Sequence, residues 1–250
     1  MKSPGPSLQR WARVAGAGYL LIIVFGLYAE FFVRSRLLAP GDPSATAAAI
    51  RGAELLYRSA LASEFGMLVA DVVVGVALWV VFRGVSEGLA LLAALLRVTH
   101  AAVVGANLLN VYVPLLLLSR SSYPGLGAPE RESMALLLLD AHAYGYAIGL
   151  VFFGVYCGVL GGLVIRSAYV PRVLGVLLLV ACLGYLADSL ARTLLVDYAA
   201  VGDVFGVIVL VPAFVAELSF SLWLLVRGVD VGVGHRAPVA GAGASGGRGA

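Results

Sequence analysis

The chain has 250 residues, of which 61% are hydrophobic and only 12% charged, and its mean hydropathy is +0.99. A soluble domain averages ~25% charged and ~45–50% apolar residues, so this composition excludes an ordinary soluble globule, a disordered chain and a disulfide scaffold. The net charge of +3 is small and scattered, which excludes a nucleic-acid partner; what remains is a membrane protein whose first partner is the lipid bilayer.

Six apolar stretches are long enough to cross a hydrocarbon core, which takes ~20 helical residues. They are Val14–Val33, Phe65–Phe82, Leu89–Leu118, Ala143–Ile165, Val173–Ala191 and Val204–Val226. Alternating strands are absent, so the fold class is an all-α, polytopic bundle of six transmembrane helices spanning residues 13–228. Residues 1–12 form a leader, and 229–250 a disordered tail rich in Gly and Ala with nothing to bury. Lys2, Arg10 and Arg13 precede the first run as they would in a signal peptide. That run is longer than a signal sequence, and no small-residue cleavage site follows it, so it reads as a retained helix.

Beyond the first span, Gly41-Asp42-Pro43-Ser44 is a turn cluster in which Asp42 or Ser44 caps a helix over Ala45–Ala62. That helix either lies on the surface or extends the second span. The third span, at 30 residues and ~1.5 Å each, is longer than a ~30 Å core requires. A bend is expected at Pro114, which lacks a backbone donor. The fourth span carries Gly145, Gly149, Gly154, Gly158 and Gly162, small residues at intervals of four that let another helix approach, within the chain or in a homo-oligomer or membrane partner.

With the N-terminus inside, the inner segments hold Lys2, Arg10, Arg13, Arg83, Arg166, Arg172, Arg227, Arg236 and Arg248. The outer ones hold Arg34, Arg36, Arg51, Arg58, Arg120, Arg131 and Arg192. The inner group hugs the span ends, and Trp11, Trp79 and Trp223 fall near the same side, so both termini are expected in the cytoplasm. Residues 78–88 and 222–232 share a Leu-Trp ending followed by Arg-Gly-Val, which reads first as the ordinary chemistry of an inner helix end and second as a relic of duplication.

Ionisable groups inside a span cost at least ~2.5–3.5 kcal/mol each and need partners. Helical rise puts Asp71, Arg97 and Glu217 at one depth, and Glu30, Arg34, Asp188 and Arg192 in a second layer near the outer ends. Arg97, His100, Asn107 and Asn110 fall within ~140° of one helix face, a single polar stripe. One acid pairs with Arg97, and the other is then a candidate ligand-binding or proton-carrying group. The plainer alternatives are an ion pair that only fixes packing, Glu30 and Arg34 reaching the outer interface, and asparagines bonding between helices. No motif indicates a metal or any other cofactor. His142 reads as a cap or surface residue at an outer helix start, and Cys157 and Cys182 are ordinary buried thiols.

Arg13-x-Ala15-Gly16, Ala29-Glu30 with Arg34, Gly41-Asp42 with Ala45-Thr46-Ala47, Asp71, Arg97, Asn107-Leu108-Leu109, Gly145-Tyr146, Pro171-Arg172, Gly184-Tyr185 with Asp188-Ser189, Pro212, Glu217 and Trp223 occur in a characteristic order. In this the chain resembles the "domain of unknown function 4386" membrane proteins over residues 13–228. The resemblance implies a bacterial multi-pass topology and supplies no activity. The chain departs from that pattern at Ala48, where Asn is expected, and at Tyr156, where His is expected. The leading expectation is a module that binds or transports a small polar solute or a proton through the Arg97, Asp71 and Glu217 interior. The rivals are an intramembrane enzyme using His100 and Asp71 with Glu30 or Asp188, and a structural or partner-stabilising subunit.

Overall fold

A computed structural model describes residues 6–119, 125–198 and 200–229. Lys2, Arg120, Arg236, Arg248 and the tail from 230 lie outside them. The described residues form nine α-helices and one π-helical segment: α1 (Pro6–Leu27), the π segment (Tyr28–Arg34), α2 (Ser35–Leu37), α3 (Pro43–Gly52), α4 (Glu54–Phe82), α5 (Glu87–Asn107), α6 (Leu109–Ser119), α7 (Ala128–Ser167), α8 (Arg172–Leu194) and α9 (Gly202–Val226).

Six helical stretches are long and apolar enough to cross a membrane: Ser7–Leu37, Glu54–Phe82, Glu87–Ser119, Ala128–Ser167, Arg172–Leu194 and Val204–Val226. They pack in chain order, and the first closes on the last. α1 lies against α4, α4 against α5, α5 against α7, α7 against α8, α8 against α9, and α9 against α1. An even number of crossings returns the chain to the side where it began. There Gln9 ties the two ends together, its Nε2 donating to the Arg227 carbonyl (2.9 Å) and its Oε1 accepting from the Val229 amide (3.1 Å). Gly228 makes this closure possible: its φ of +70° ends α9 in the left-handed region while its N–H donates to the Trp223 carbonyl.

Several spans are longer than their apolar runs suggest. The fourth begins at Ala128 rather than Ala143, and the second at Glu54 rather than Phe65. At ~1.5 Å per residue α7 is ~60 Å long, twice the hydrocarbon thickness. The added turns carry Tyr57, Ala60, Leu61, Ala135 and Leu139 into a second core, at the end of the bundle away from the termini. Ala47 and Ile50 of α3 complete it. α3 is therefore a separate packed helix, and residues 54–62 extend the second span. Asp42 caps α3, its Oδ1 accepting from the Ala45 amide at 2.9 Å, and Pro43 takes the first helical position, where no N–H is needed.

The third span is interrupted at Leu108 rather than at Pro114. A proline ring displaces the carbonyl four residues earlier, here Asn110, so the disturbance appears a turn or more towards the N-terminus. The glycine face of α7 is divided. Gly145 and Gly149 abut Asn107, His100 and Val104 of α5, while Gly154 and Gly158 abut Tyr185, Leu186 and Cys182 of α8. Gly162 faces open space. Its neighbour Gly161 makes the contact instead, since a Cβ there would lie 2.7 Å from the Gly175 carbonyl.

Candidate functional site

The centre of the ring is filled by side chains from all six spans. Arg97, on α5, is completely buried, with Nη2 2.7 Å from Asp71 Oδ1 of α4. Its guanidinium also lies over three aromatic rings, 4.3 Å from the centroid of Tyr19, 4.8 Å from Tyr156 and 5.3 Å from Phe153. Each such contact offsets part of the lost hydration, by roughly 0.5–2 kcal/mol. His100, one turn along α5, points Nδ1 at the other Asp71 oxygen from 3.3 Å and packs its ring 4.9 Å from that of Phe153. The Tyr19 and Tyr156 hydroxyls meet at 2.5 Å, so α1 and α7 are bridged across the interior.

These groups are close but poorly satisfied. Among the described residues Arg97 Nε and Nη1 and both His100 nitrogens have no hydrogen-bond partner, and the Arg97–Asp71 contact is an ion pair without hydrogen-bond alignment. Buried polar atoms are nearly always satisfied, so an unsatisfied group of this kind calls for a physical reason.

Glu217, on α9, takes a different partner. The Tyr185 hydroxyl of α8 donates to its Oε1 at 2.5 Å, and Tyr185 in turn meets Phe153 edge-on at 5.4 Å. Glu217 remains within electrostatic range of Arg97.

Glu30 and Arg34 lie on the π segment. Arg34 bridges two carboxylates, its Nε donating to Glu30 Oε2 (2.7 Å) and its Nη1 to Glu64 Oε1 (2.6 Å). Glu64 is 1% exposed, and its Oε2 has no partner among the described residues. Asp188 and Arg192 form a separate group on α8. Arg192 Nε donates to Asp188 Oδ2 at 2.9 Å, and the Tyr198 hydroxyl donates to Oδ1 at 2.5 Å. Burial and that hydrogen bond push the Tyr198 hydroxyl up to about 12, so it stays a donor at neutral pH. Glu30 and Asp188 are thus engaged with other partners, while His100 and Asp71 do meet.

Asn107 and Asn110 are brought to His142. Asn107 Nδ2 donates to the His142 carbonyl at 2.9 Å and lies 3.0 Å from its Nδ1, while Asn110 Nδ2 donates to Asn107 Oδ1. His142 is 6% exposed, inside α7 rather than at its start, because the helix begins fourteen residues earlier. Tyr146, one turn on, packs its ring 6.1 Å from that of His142. Among the described residues no three His, Cys, Asp or Glu side chains converge as a metal site would require, and Cys157 and Cys182 are free thiols.

Tyr19, Phe153, Tyr185 and Glu64 are the site residues that sequence reasoning missed. Tyrosine and phenylalanine in an apolar run look like packing. Glu64 falls just before the apolar window, although its place seven residues before Asp71 sets it two turns away on the same face. Tyr156, noted as a departure from a family pattern, proves to be part of the centre.

Fold and interior define the class: an all-α, multi-pass membrane protein with a sealed polar centre. The chain belongs to the family described as "Domain of unknown function (DUF4386)", whose family model matches residues 14–228. It is also similar to an uncharacterised protein of Archaeoglobus fulgidus, 28% identical over 164 residues that cover 66% of this chain and 80% of that protein. No solved structure matches the chain.

Proposed function

We propose that this protein is a bacterial cell-membrane module that binds and passes protons through its polar interior, with both termini in the cytoplasm. The observation that carries the reading is the set of titratable side chains in the ring: Asp71, His100 and Glu217 with the Tyr19–Tyr156 and Tyr185 hydroxyls. The two tyrosine hydroxyls are hydrogen-bonded to each other, Tyr185 donates to Glu217, and Asp71 faces both Arg97 and His100. A proton, rather than a solute, fits the space. The surface grooves between α8 and α9 and between α7 and α8 are lined by neither Asp71 nor Glu217, and Asp71 and Arg97 are sealed from solvent. The cytoplasmic placement of the termini is supported by the arginines at that end of the bundle, which span-flanking cations favour.

The test is proton flux into sealed liposomes that hold a trapped pH-sensitive dye, with the membrane potential clamped. Liposomes carrying the protein should equilibrate faster than empty ones, and Glu217→Gln should return the rate towards the empty value while keeping the helical circular-dichroism signal. Protein-bearing liposomes as tight as empty ones would overturn the proposal. One observation favours the structural reading as the alternative: Arg97 is enclosed by Asp71 and three rings, the arrangement of a locked ion pair. On that reading, Arg97→Ala lowers stability and no variant changes flux.

A further inference from the structure

The ends of the bundle differ in how their arginines are neutralised. At the far end, Arg34, Arg51, Arg58 and Arg192 each sit on a carboxylate, Glu64, Glu132, Glu54 and Asp188, while Arg36 lies over the Phe32 ring and Arg131 enters no salt bridge among the described residues. At the end where the start of α1 meets the end of α9, Arg10, Arg13, Arg83, Arg166, Arg172 and Arg227 are all exposed, and among the described residues none enters a salt bridge. Glu87, at the start of α5, is near them, and Asp230 lies outside the described residues. Among the described residues this collar of cations has no carboxylate partner.

The same end carries a groove of about 390 Å³ between the first turn of α8 and the last turns of α9. Leu174, Leu222, Trp223 and Val226 supply apolar walls, Arg227 lines it at the end of α9, and no carboxylate is among its lining residues. The first turn of α8 has no side-chain cap, so the positive end of its dipole adds to the charge there. The groove between α7 and α8 makes a useful contrast. It too is lined by an arginine, Arg192, but that charge is already taken by Asp188.

We propose that the α8–α9 groove holds one anionic phospholipid, with an acyl chain against Leu174, Leu222 and Val226 and the phosphate on the Arg227 guanidinium. Charge complementarity selects the occupant. An apolar slot beside Trp223 fits a hydrocarbon chain, and a guanidinium with no carboxylate partner among the described residues fits a phosphate whose headgroup leaves the net charge negative.

The experiment uses the full chain with Trp11→Phe and Trp79→Phe, so that Trp223 alone fluoresces, in micelles titrated with lipids bearing brominated acyl chains. Brominated phosphatidylglycerol should half-quench Trp223 at ~five-fold lower mole fraction than brominated phosphatidylcholine, the weight of one arginine at an anionic surface. Arg227→Gln should erase most of that preference, and Arg36→Gln, at the opposite end, should leave it unchanged. Val226→Phe, which fills the slot from an exposed position, should weaken quenching by both lipids and keeps the test open if Arg227→Gln fails to fold. Equal quenching by the two lipids, or a preference that survives Arg227→Gln, overturns the proposal. So does protection of Trp223 that rises with protein concentration, which would place a second copy of the chain in the groove.

Discussion

At the scale of the residue, the energetic problem is Arg97. Burying a guanidinium costs several kcal/mol, and a single ion pair returns that only in part. Here Asp71 supplies the opposite charge and Tyr19, Tyr156 and Phe153 supply polarisable faces. Arg97→Ala leaves Asp71 as an unpaired buried carboxylate and should destabilise the protein by ~3–5 kcal/mol. An unchanged melting temperature in detergent would reject that account. Arg97→Lys keeps the charge but loses the flat surface that three rings share, so its melting temperature should fall between those of wild type and Arg97→Ala. Asp71 and Arg97 were legible because a charge inside an apolar run stands out against its neighbours. Their aromatic enclosure was not: Tyr19, Phe153 and Tyr156 sit in runs where large apolar side chains are ordinary, and only three-dimensional packing distinguishes a ring over a cation from a ring facing lipid.

At the scale of the element, the six spans follow from length and apolarity, but the phase of each helix does not. A soluble helix marks its inner face with apolar residues, whereas a helix between protein and lipid is apolar all round. Gly161 and Gly162 show the consequence. The four-residue spacing selected Gly162, yet Gly161 meets the Gly175 backbone. Gly161→Ala should force α7 and α8 apart at a cost of ~1–3 kcal/mol, while Gly162→Ala, with open space before it, should leave the unfolding midpoint in denaturant unmoved. Equal effects at the two positions would show that the helices do not meet there. The cap on α3 was readable because its chemistry is local. Asp42→Ala should cost ~1 kcal/mol, seen as faster hydrogen exchange in residues 43–52 and not in the spans. The start of α7 was hidden for the opposite reason. Ala128–His142 carries enough charge to look like a loop, and it is helical because α3 and α6 cover its apolar side in the second core, whereas a helix over residues 54–62 was expected and only its continuity with the second span was open.

At the scale of the whole molecule, ring closure and charge distribution act together. The chain ends share one side because the crossings are even in number, and Gln9 fastens α1 to the end of α9. Six exposed arginines that enter no salt bridge among the described residues gather on that side, whereas on the far side Arg34, Arg51, Arg58 and Arg192 are held by Glu30, Glu54, Glu64, Glu132 and Asp188, and Arg36 and Arg131 are not. Inserting helices retain flanking cations on the cytoplasmic face, and that face carries most of the anionic lipid. The same asymmetry therefore governs both the orientation we propose and the lipid we place in the α8–α9 groove. Accessible-cysteine labelling separates the two orientations. In a background with Cys157→Ala and Cys182→Ala, a single cysteine is placed at Ser7, in the exposed first turn of α1, or at Ala128, in the exposed first turn of α7. A membrane-impermeant maleimide added to intact cells should label Ala128→Cys, and should label Ser7→Cys only after the membrane is opened. The reverse pattern would turn the bundle over and leave the arginine collar facing outward. Labelling at both sites in intact cells would mean that an even number of crossings separates them rather than the three spans between Ser7 and Ala128, which would break the closed ring on which the interior depends.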